Sequence, residues 1–355
     1  MGLKRVAVEE LLHGNATFDA VVDARSESEF AEDHLPGAAN WPVLNDVERA
    51  SVGTEYKQVS AFDARKRGAA LAAANIARHL QQHVQALPKG WRPLVYCWRG
   101  GQRSASLALV LSEIGFAVTV LEGGYRAFRR AVLADLETRP QRLGFQVLAG
   151  RTGSAKSRLL QALAAQGAQV LDLEALACHR GSVLGLVPGQ RQPSQKAFET
   201  ALWQVLATLD PTRPVFAEGE SRTIGRLRVP EALLLALRAA RVWRVNMAMD
   251  ARVDFLLDDY AHFVVDTEAF CTRLEALREL RGAATIERWQ GLARARDAAT
   301  PVRELLEQHY DPVYLKSMRK HFAGFEEGAT LELADAAPAT LEATARRLIE
   351  STGTG

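Results

Sequence analysis

Hydrophobic positions along the first 135 residues fall into short apolar runs, separated by stretches in which they recur every three or four positions. Phe18-Asp19-Ala20-Val21-Val22-Asp23, Pro93-Leu94-Val95-Tyr96 and Ala117 to Leu121 read as strands, being β-branched or continuous apolar runs that end in charge or glycine. Between them, Ser28 to Asp33 predicts one helical turn, closed by His34-Leu35-Pro36-Gly37. Ala70 to Leu80 predicts an Ala-rich helix, and Arg103 to Gly115 another, with Leu107, Val110, Leu111 and Ile114 on one face. Strand alternating with helix predicts an α/β fold with a parallel sheet covered on both sides.

The pattern lapses between Thr138 and Gly144, where Arg139-Pro140 and Gly144 punctuate the chain. A first domain of residues 1–137 is expected to end there. It resumes with the buried-type strand Phe145 to Ala149, a Gly-rich turn and a helix from Lys156 to Gln166. Val215-Phe216-Ala217-Glu218 is a further apolar strand ending in an acid. These place a second α/β core over 138–228. Residues 229–355 read as helix-rich, with Glu/Arg-laced stretches such as Glu268 to Arg281, and complete that second domain.

A length of 355 residues suits two ordinary domains, and 48% hydrophobic with 24% charged residues excludes disorder or coiled coil. A formal charge of +2 argues for no partner class, but 36 of the 44 basic residues are Arg, the better bidentate ligand for phosphate. A GC-rich coding sequence gives the same bias. Cys97, Cys178 and Cys271 share no paired or metal-like spacing, so neither a disulfide framework nor a metal site is expected. Met1 to Ala7 carries no signal-peptide pattern, and no 18 apolar residues run together. A cytoplasmic protein that does not cross a membrane is the expectation.

Two segments carry chemistry. In Cys97-Trp98-Arg99-Gly100-Gly101-Gln102-Arg103-Ser104 a strand feeds a helix, which places the Cys97 sulfur over a cup of backbone N–H groups. Gly100 and Gly101 let the loop curl, and Arg103 is placed to hold an oxyanion bidentately. Cys97 and Arg103 are the catalytic candidates, and Trp98, Arg99, Gly100, Gly101 and Gln102 form the anion cup. The spacing fits either a Cys-x5-Arg phosphatase or a sulfur or selenium carrier. In the second segment, Gly150-Arg151-Thr152-Gly153-Ser154-Ala155-Lys156-Ser157 follows a strand and opens a helix, the context of a P-loop. Gly150, Thr152, Gly153, Ser154, Lys156 and Ser157 are the phosphate-binding candidates, joined by Glu218 and Arg222 at the end of the next strand. Ala155 stands where the P-loop pattern has glycine, and forcing it left-handed costs ~1 kcal/mol.

Asp23-x-Arg25, Glu29-Phe30, His34-x-Pro36-Gly37-Ala38-x-Asn40 and Glu122-Gly123-Gly124-Tyr125 together resemble the rhodanese family. In that fold these residues are mainly structural, so Asp23 and His34 are not nominated as catalytic. Ordinary rhodaneses have a loop one residue shorter, so this one has room for a larger anion. Phosphatases with this spacing usually carry His before the Cys, where this chain has Tyr96.

A rhodanese-like domain fused to a P-loop NTPase-like domain resembles the bacterial tRNA 2-selenouridine synthase family. The likeness is carried by Asn45 to Gln58, the Cys97 loop, Asp172-Leu173-Glu174, His179-Arg180-Gly181-Ser182, Gln192-Pro193-Ser194-Gln195, Phe198-Glu199, Glu218 to Gly225 and Tyr310-Asp311-Pro312-x-Tyr314. The resemblance implies a transferase acting on the wobble 2-thiouridine of tRNA. Geranyl diphosphate first alkylates the thio group, and selenium from selenophosphate then replaces the S-geranyl group. No tightly bound cofactor is implied; both reagents are co-substrates. Cys97 would carry or position selenium, and Lys156 and Arg222 would stabilise the leaving diphosphate. Gly68 matches a family glycine and is the alkylation-site candidate, read as lying at a helix start. Arg65, Lys66, Arg67, His179 and Arg180 are candidates for gripping tRNA phosphates, and Trp98 is placed to stack a base or to pack the core. A thiosulfate or persulfide sulfurtransferase fused to a nucleotide-binding domain is the alternative reading, and a non-catalytic tRNA-binding or nucleotide-binding adaptor a third.

Overall fold

The computed structural model describes residues 3–353 apart from 13, 15, 181–190, 220 and 260–265. The chain forms two units: Met1–Asp135 with Pro193–Trp203, and Leu136–Gln192 with Gln204–Gly355.

In the first unit β1 (Lys4–Val6), β2 (Ala20–Asp23), β3 (Ala38–Asn40), β4 (Pro93–Tyr96) and β5 (Thr119–Leu121) form one sheet in the order β1-β5-β4-β2-β3. All its pairings are parallel, with Val95 of β4 level with Val22 on one side and Val120 on the other. That row is buried with Leu107 and Leu111 of the helix Gln102–Ile114, two of the four residues that the periodicity put on one face; Val110 packs partly buried against it, and Ile114 is 51% exposed. β1 and β3 have too few apolar residues to register as runs. Trp41, Trp91 and Phe116 enlarge the same core.

Two long helices, Asp46–Gln58 and Ala61–His79, link β3 to β4. The second begins nine residues before the Ala70 start that the sequence predicts, because Ser60 Oγ caps the Asp63 N–H at 3.2 Å. Gly68 is therefore not at a helix start. It lies within the helix, where a Cβ would meet Val52 Cγ1 of the preceding helix at 3.2 Å. An interior glycine costs about 1 kcal/mol of helix propensity, offset here by the close approach of the two helices.

A buried charge cluster ties the unit together. The Arg25 guanidinium donates to the Asp23 carboxylate at 3.0 and 2.7 Å and to the Asp33 carbonyl at 2.7 Å. Burial opposes the charge on Arg25, but its hydrogen bonds to Asp23 outweigh that and raise its pKa. The Asp33 carboxylate accepts from Tyr125 OH at 2.7 Å and from Thr200 Oγ1 at 2.9 Å. Thr200 is one reason that segment 193–203 belongs to this unit. His34 stacks on Phe30 at 3.9 Å, and Asp23 is fully buried against Arg25.

In the second unit, β6 (Phe145–Gly150), β7 (Gln169–Leu171) and β8 (Val215–Glu218) are followed by a small antiparallel hairpin, β9 (Thr223–Ile224) with β10 (Leu227–Arg228). With β11 (Arg241–Met247) and β12 (Ala329–Leu333), the sheet runs β12-β11-β6-β8-β7, parallel throughout. Strands are added to one side of β6 and then to the other, so the carboxyl end of β6 is a topological switch point, the usual place for a ligand. β11 and β12 lie in the stretch read as helical. The β11 pattern is masked by Arg241, whose guanidinium lies 4.3 Å over the Trp243 ring, and by Arg244, which donates to the Gly328 carbonyl at 2.9 Å.

The helical remainder has its own buried cluster around Phe270, Leu274, Ile286 and Trp289. It reaches the phosphate-loop turn through Arg252, which is 1% exposed. Arg252 donates to the Asp311 carboxylate at 2.8 and 2.6 Å and to the Thr152 carbonyl at 2.9 and 2.7 Å. Removing the carboxylate in Asp311→Ala leaves a buried guanidinium without its counter-charge. A loss of about 3–5 kcal/mol is expected, read as a lowered midpoint in urea unfolding of the full chain.

Candidate functional site

β4 ends at Tyr96 and delivers Cys97, 3% exposed, to the start of the helix Gln102–Ile114. Its Sγ accepts hydrogen bonds from the Gly101 N–H and from Ser104 Oγ, both at 3.2 Å. Ser104 was not singled out from the sequence, and its signal is only a hydroxyl one helical turn beyond the cup. Behind the loop, the Tyr125 and Arg126 N–H groups donate to the carbonyls of Cys97 and Trp98 at 2.8 and 3.0 Å. Glycine is required there: at Gly124, with φ +56°, a Cβ would stand 2.2 Å from the Cys97 carbonyl oxygen. At Gly100, with φ +65°, it would stand 2.7 Å from the Leu121 carbonyl oxygen.

Arg103 is held by Glu29, Nη1 to Oε2 at 2.5 Å and Nη2 to Oε1 at 3.2 Å. Burial alone would raise the Glu29 carboxyl, but the Arg103 hydrogen bonds and charge hold it below its ordinary value. Glu29, visible in the sequence only as part of a family pattern, anchors the cup's arginine. Trp98 is half-buried, its ring 5.4 Å from that of Tyr125. Arg99, Gly101 and Gln102 are exposed at the rim.

In the second unit, β6 ends at Gly150 and the loop turns into the helix Lys156–Ala165. Ala155 is left-handed, at φ 56°, ψ 27°, and 4% exposed. The loop thus keeps the geometry that glycine would give, and the Cβ packs in the core with Leu159 and Leu160. Lys156 Nζ donates to the Gly150 carbonyl at 2.6 Å, and the Gly150 N–H donates to Tyr314 OH at 2.7 Å. Ser157 Oγ lies 3.0 Å from Glu174 Oε2 and 2.6 Å from Glu218 Oε1. These oxygens are of the kind that a magnesium ion on a diphosphate takes. Among the described residues no group of three or more His, Cys, Asp and Glu is placed to hold a metal.

The loop opens into a cavity of about 750 Å³. Gly150, Thr152, Gly153, Lys156 and Ser157 line one part, and Phe255, Leu256, Val313, Tyr314, Met318 and Phe322 form an apolar wall. This wall abuts the loop: a Cβ on Gly153 would meet Leu256 Cδ1 at 2.9 Å, and Lys156 Nζ is 5.8 Å from the Tyr314 ring. His179 and Arg180 line the same cavity. His179 is buried, which lowers its pKa, and Arg180 pairs with Asp259. Arg222 does not line it. The hairpin β9–β10, extended by a bond from the Val229 N–H to the Arg222 carbonyl at 3.1 Å, carries that residue to the exposed surface. Gly181 and Ser182, which follow His179-Arg180 in the family likeness, and Glu220, which lies in its Glu218 to Gly225 stretch, lie outside the described residues.

Arg65, Lys66 and Arg67 are exposed on the helix Ala61–His79, with Lys66 paired to Asp63 and Arg67 to Glu55. Beside them Tyr56, Val59 and Phe62 are 53%, 79% and 66% exposed, an apolar tip the sequence did not reveal.

Two outcomes follow from this geometry. Gly124→Ala drives a Cβ into the Cys97 carbonyl at a left-handed position, and a loss of about 3 kcal/mol is expected in chemical unfolding. Glu29, held down by Arg103, should titrate below the ordinary glutamate range in carboxyl NMR. Its pairing contributes stability at pH values above the unfolded pKa, and this is lost as pH falls through the folded one. Arg103→Ala should move that midpoint upward, because burial is then opposed only by the Ser26 N–H and the more distant Arg49 charge.

A family model described as the tRNA 2-selenouridine synthase AAA domain matches residues 143–279, and the rhodanese-like domain model matches 6–131. A tRNA 2-selenouridine synthase of Bdellovibrio bacteriovorus is 31% identical, over 94% of this chain and 98% of its own length. That of Nitrosomonas europaea is 36% identical over 68% of this chain, and the aligned part spans 63% of the relative's length. That of Alcanivorax borkumensis is 37% identical over 68% of this chain and 66% of its own. No helix among the described residues is long and apolar enough to cross a membrane. Two α/β units, one with a thiol cup and one with a P-loop, together with likeness along nearly the whole chain, place this protein in the tRNA 2-selenouridine synthase family.

Proposed function

We propose that the chain converts the wobble 2-thiouridine of tRNA to 2-selenouridine through an S-geranyl intermediate, with geranyl diphosphate and selenophosphate as co-substrates. The observation that carries this reading is the second-unit cavity, which sets a phosphate loop against an apolar wall. Alkylation breaks the C1–O bond of an allylic diphosphate while the thiocarbonyl sulfur attacks C1. The diphosphate leaves with the electron pair, and the loop N–H groups and Lys156 would take up its charge. The wall of Phe255, Leu256, Val313 and Met318 suits the hydrocarbon chain, whose burial contributes roughly 0.8 kcal/mol per CH₂. Selenation needs a second anion site beside a nucleophile, and the Cys97 cup in the first unit supplies one. Arg65, Lys66 and Arg67, with the exposed rings of Tyr56 and Phe62, suit an RNA surface, pairing phosphate contacts with faces on which bases stack.

The test is mass spectrometry of nucleosides from a 2-thiouridine tRNA incubated with the purified protein. With geranyl diphosphate alone the S-geranyl nucleoside should appear, and added selenophosphate should convert it to selenouridine. Unchanged nucleoside, with thiosulfate-to-cyanide sulfur transfer instead, would sink the proposal. The two sites should separate by mutation. Lys156→Ala should slow geranylation by about 10²-fold while sparing selenation of preformed S-geranyl tRNA. Cys97→Ala should do the reverse.

A further inference from the structure

We propose that the face of the Tyr314 ring stabilises the positive charge that grows on the allylic carbons as the diphosphate departs. The proposal rests on the reading that geranyl diphosphate is the alkylating agent. It gives that step a residue outside the phosphate-binding set.

An allylic diphosphate loosens its leaving group ahead of bond formation to the nucleophile. The C1–O bond breaks with its electron pair going to the diphosphate, and the charge left behind is shared between C1 and C3. The thiocarbonyl sulfur gives an electron pair to C1, and the base releases its N3 proton to water. Charge balances, and no oxidant or further reactant enters. The transition state therefore holds an anion and a cation side by side. Lys156 and the loop N–H groups answer the anion but oppose the cation. A neutral group with a negative face answers the cation without competing for the diphosphate, and an aromatic ring is such a group.

Tyr314 has the required position. It lies on the helix Asp311–His321, whose Val313 and Met318 belong to the apolar wall. Its face is turned toward Lys156 Nζ, 5.8 Å from the ring centre. A ring face attracts a cation out to about 6 Å, so this one covers the space beside the loop lysine where C1 must lie. Two links hold the ring there. Its hydroxyl accepts the Gly150 N–H at 2.7 Å. On the same helix Asp311 receives the Arg252 guanidinium, which also holds the Thr152 carbonyl of the loop. The Phe255 ring of the same wall is already covered by the Arg158 guanidinium at 4.9 Å.

The experiment follows single-turnover geranylation of a 2-thiouridine tRNA by the full-length protein, with replacements at position 314. Tyr314→Phe keeps the face and loses the hydroxyl anchor, and its rate constant should fall about threefold. Tyr314→Leu keeps an apolar side chain without the face, and its rate constant should fall about 30-fold. The half-saturating concentration of geranyl diphosphate should change by less than about threefold, because the intact ester carries no cation. Phenylalanines bearing successively more fluorine at 314 should lower the logarithm of the rate constant in step. Fluorine drains the ring face while barely altering its shape, so a ring that only packed would give a flat series. A flat series overturns the proposal, and so does a Tyr314→Leu protein whose loss lies wholly in substrate binding. Wild-type protein that leaves the tRNA unalkylated overturns the reading of geranyl diphosphate as reagent, and this assignment with it.

Discussion

A loop that presents its N–H groups to an anion cannot use them to hold itself together, so it must be held by its carbonyls. Both units meet this constraint. In the first, the Tyr125 and Arg126 N–H groups take the carbonyls of Cys97 and Trp98. In the second, Arg252 takes the carbonyl of Thr152 and Lys156 that of Gly150. Lys156 is local, but Tyr125, Arg126 and Arg252 come from far along the chain, and a large part of each fold exists to deliver them. Gly123 and Gly124 let one helix start directly against the cysteine loop, and the buried Arg252–Asp311 pair fastens the helical region to the phosphate loop.

The parallel sheets explain why the cups sit where they do. A strand buried on both faces must leave at its carboxyl edge, and the following helix starts there with its free N–H groups. β4 and β6 are each flanked by a strand on either side, so their carboxyl ends open at the middle of the sheet. The cysteine cup holds a buried sulfur. The other opens into a cavity of about 750 Å³ with an apolar wall.

Much of this was legible in the sequence. β2, β4, β6 and β8 are continuous apolar runs, and both loops announce themselves by glycine spacing next to a strand. β11 was not legible, because Arg241 and Arg244 interrupt its pattern while lying across an aromatic ring and a neighbouring carbonyl. Arg252 and Asp311 look like charges on solvated helices, and only tertiary packing makes them a buried pair. Ser104 and Glu29 are ordinary polar residues until the fold brings one to the sulfur and the other to Arg103. Arg222, by contrast, looked close to the phosphate loop in sequence and is carried off by a hairpin. Gly68 looked like a helix boundary, but the Ser60 cap sets the boundary earlier.

The segment Pro193–Trp203 belongs to the first unit although residues on both sides of it belong to the second. Synthesis is vectorial, and residues 1–135 leave the ribosome while this segment is still untranslated. Until it emerges, Asp33 lacks its hydrogen bond from Thr200, and Arg129 lacks Glu199. At about 5–20 residues per second the delay lasts seconds, far longer than helix formation or collapse. The thiol cup is therefore built on a scaffold that finishes late, after the phosphate loop has already been made.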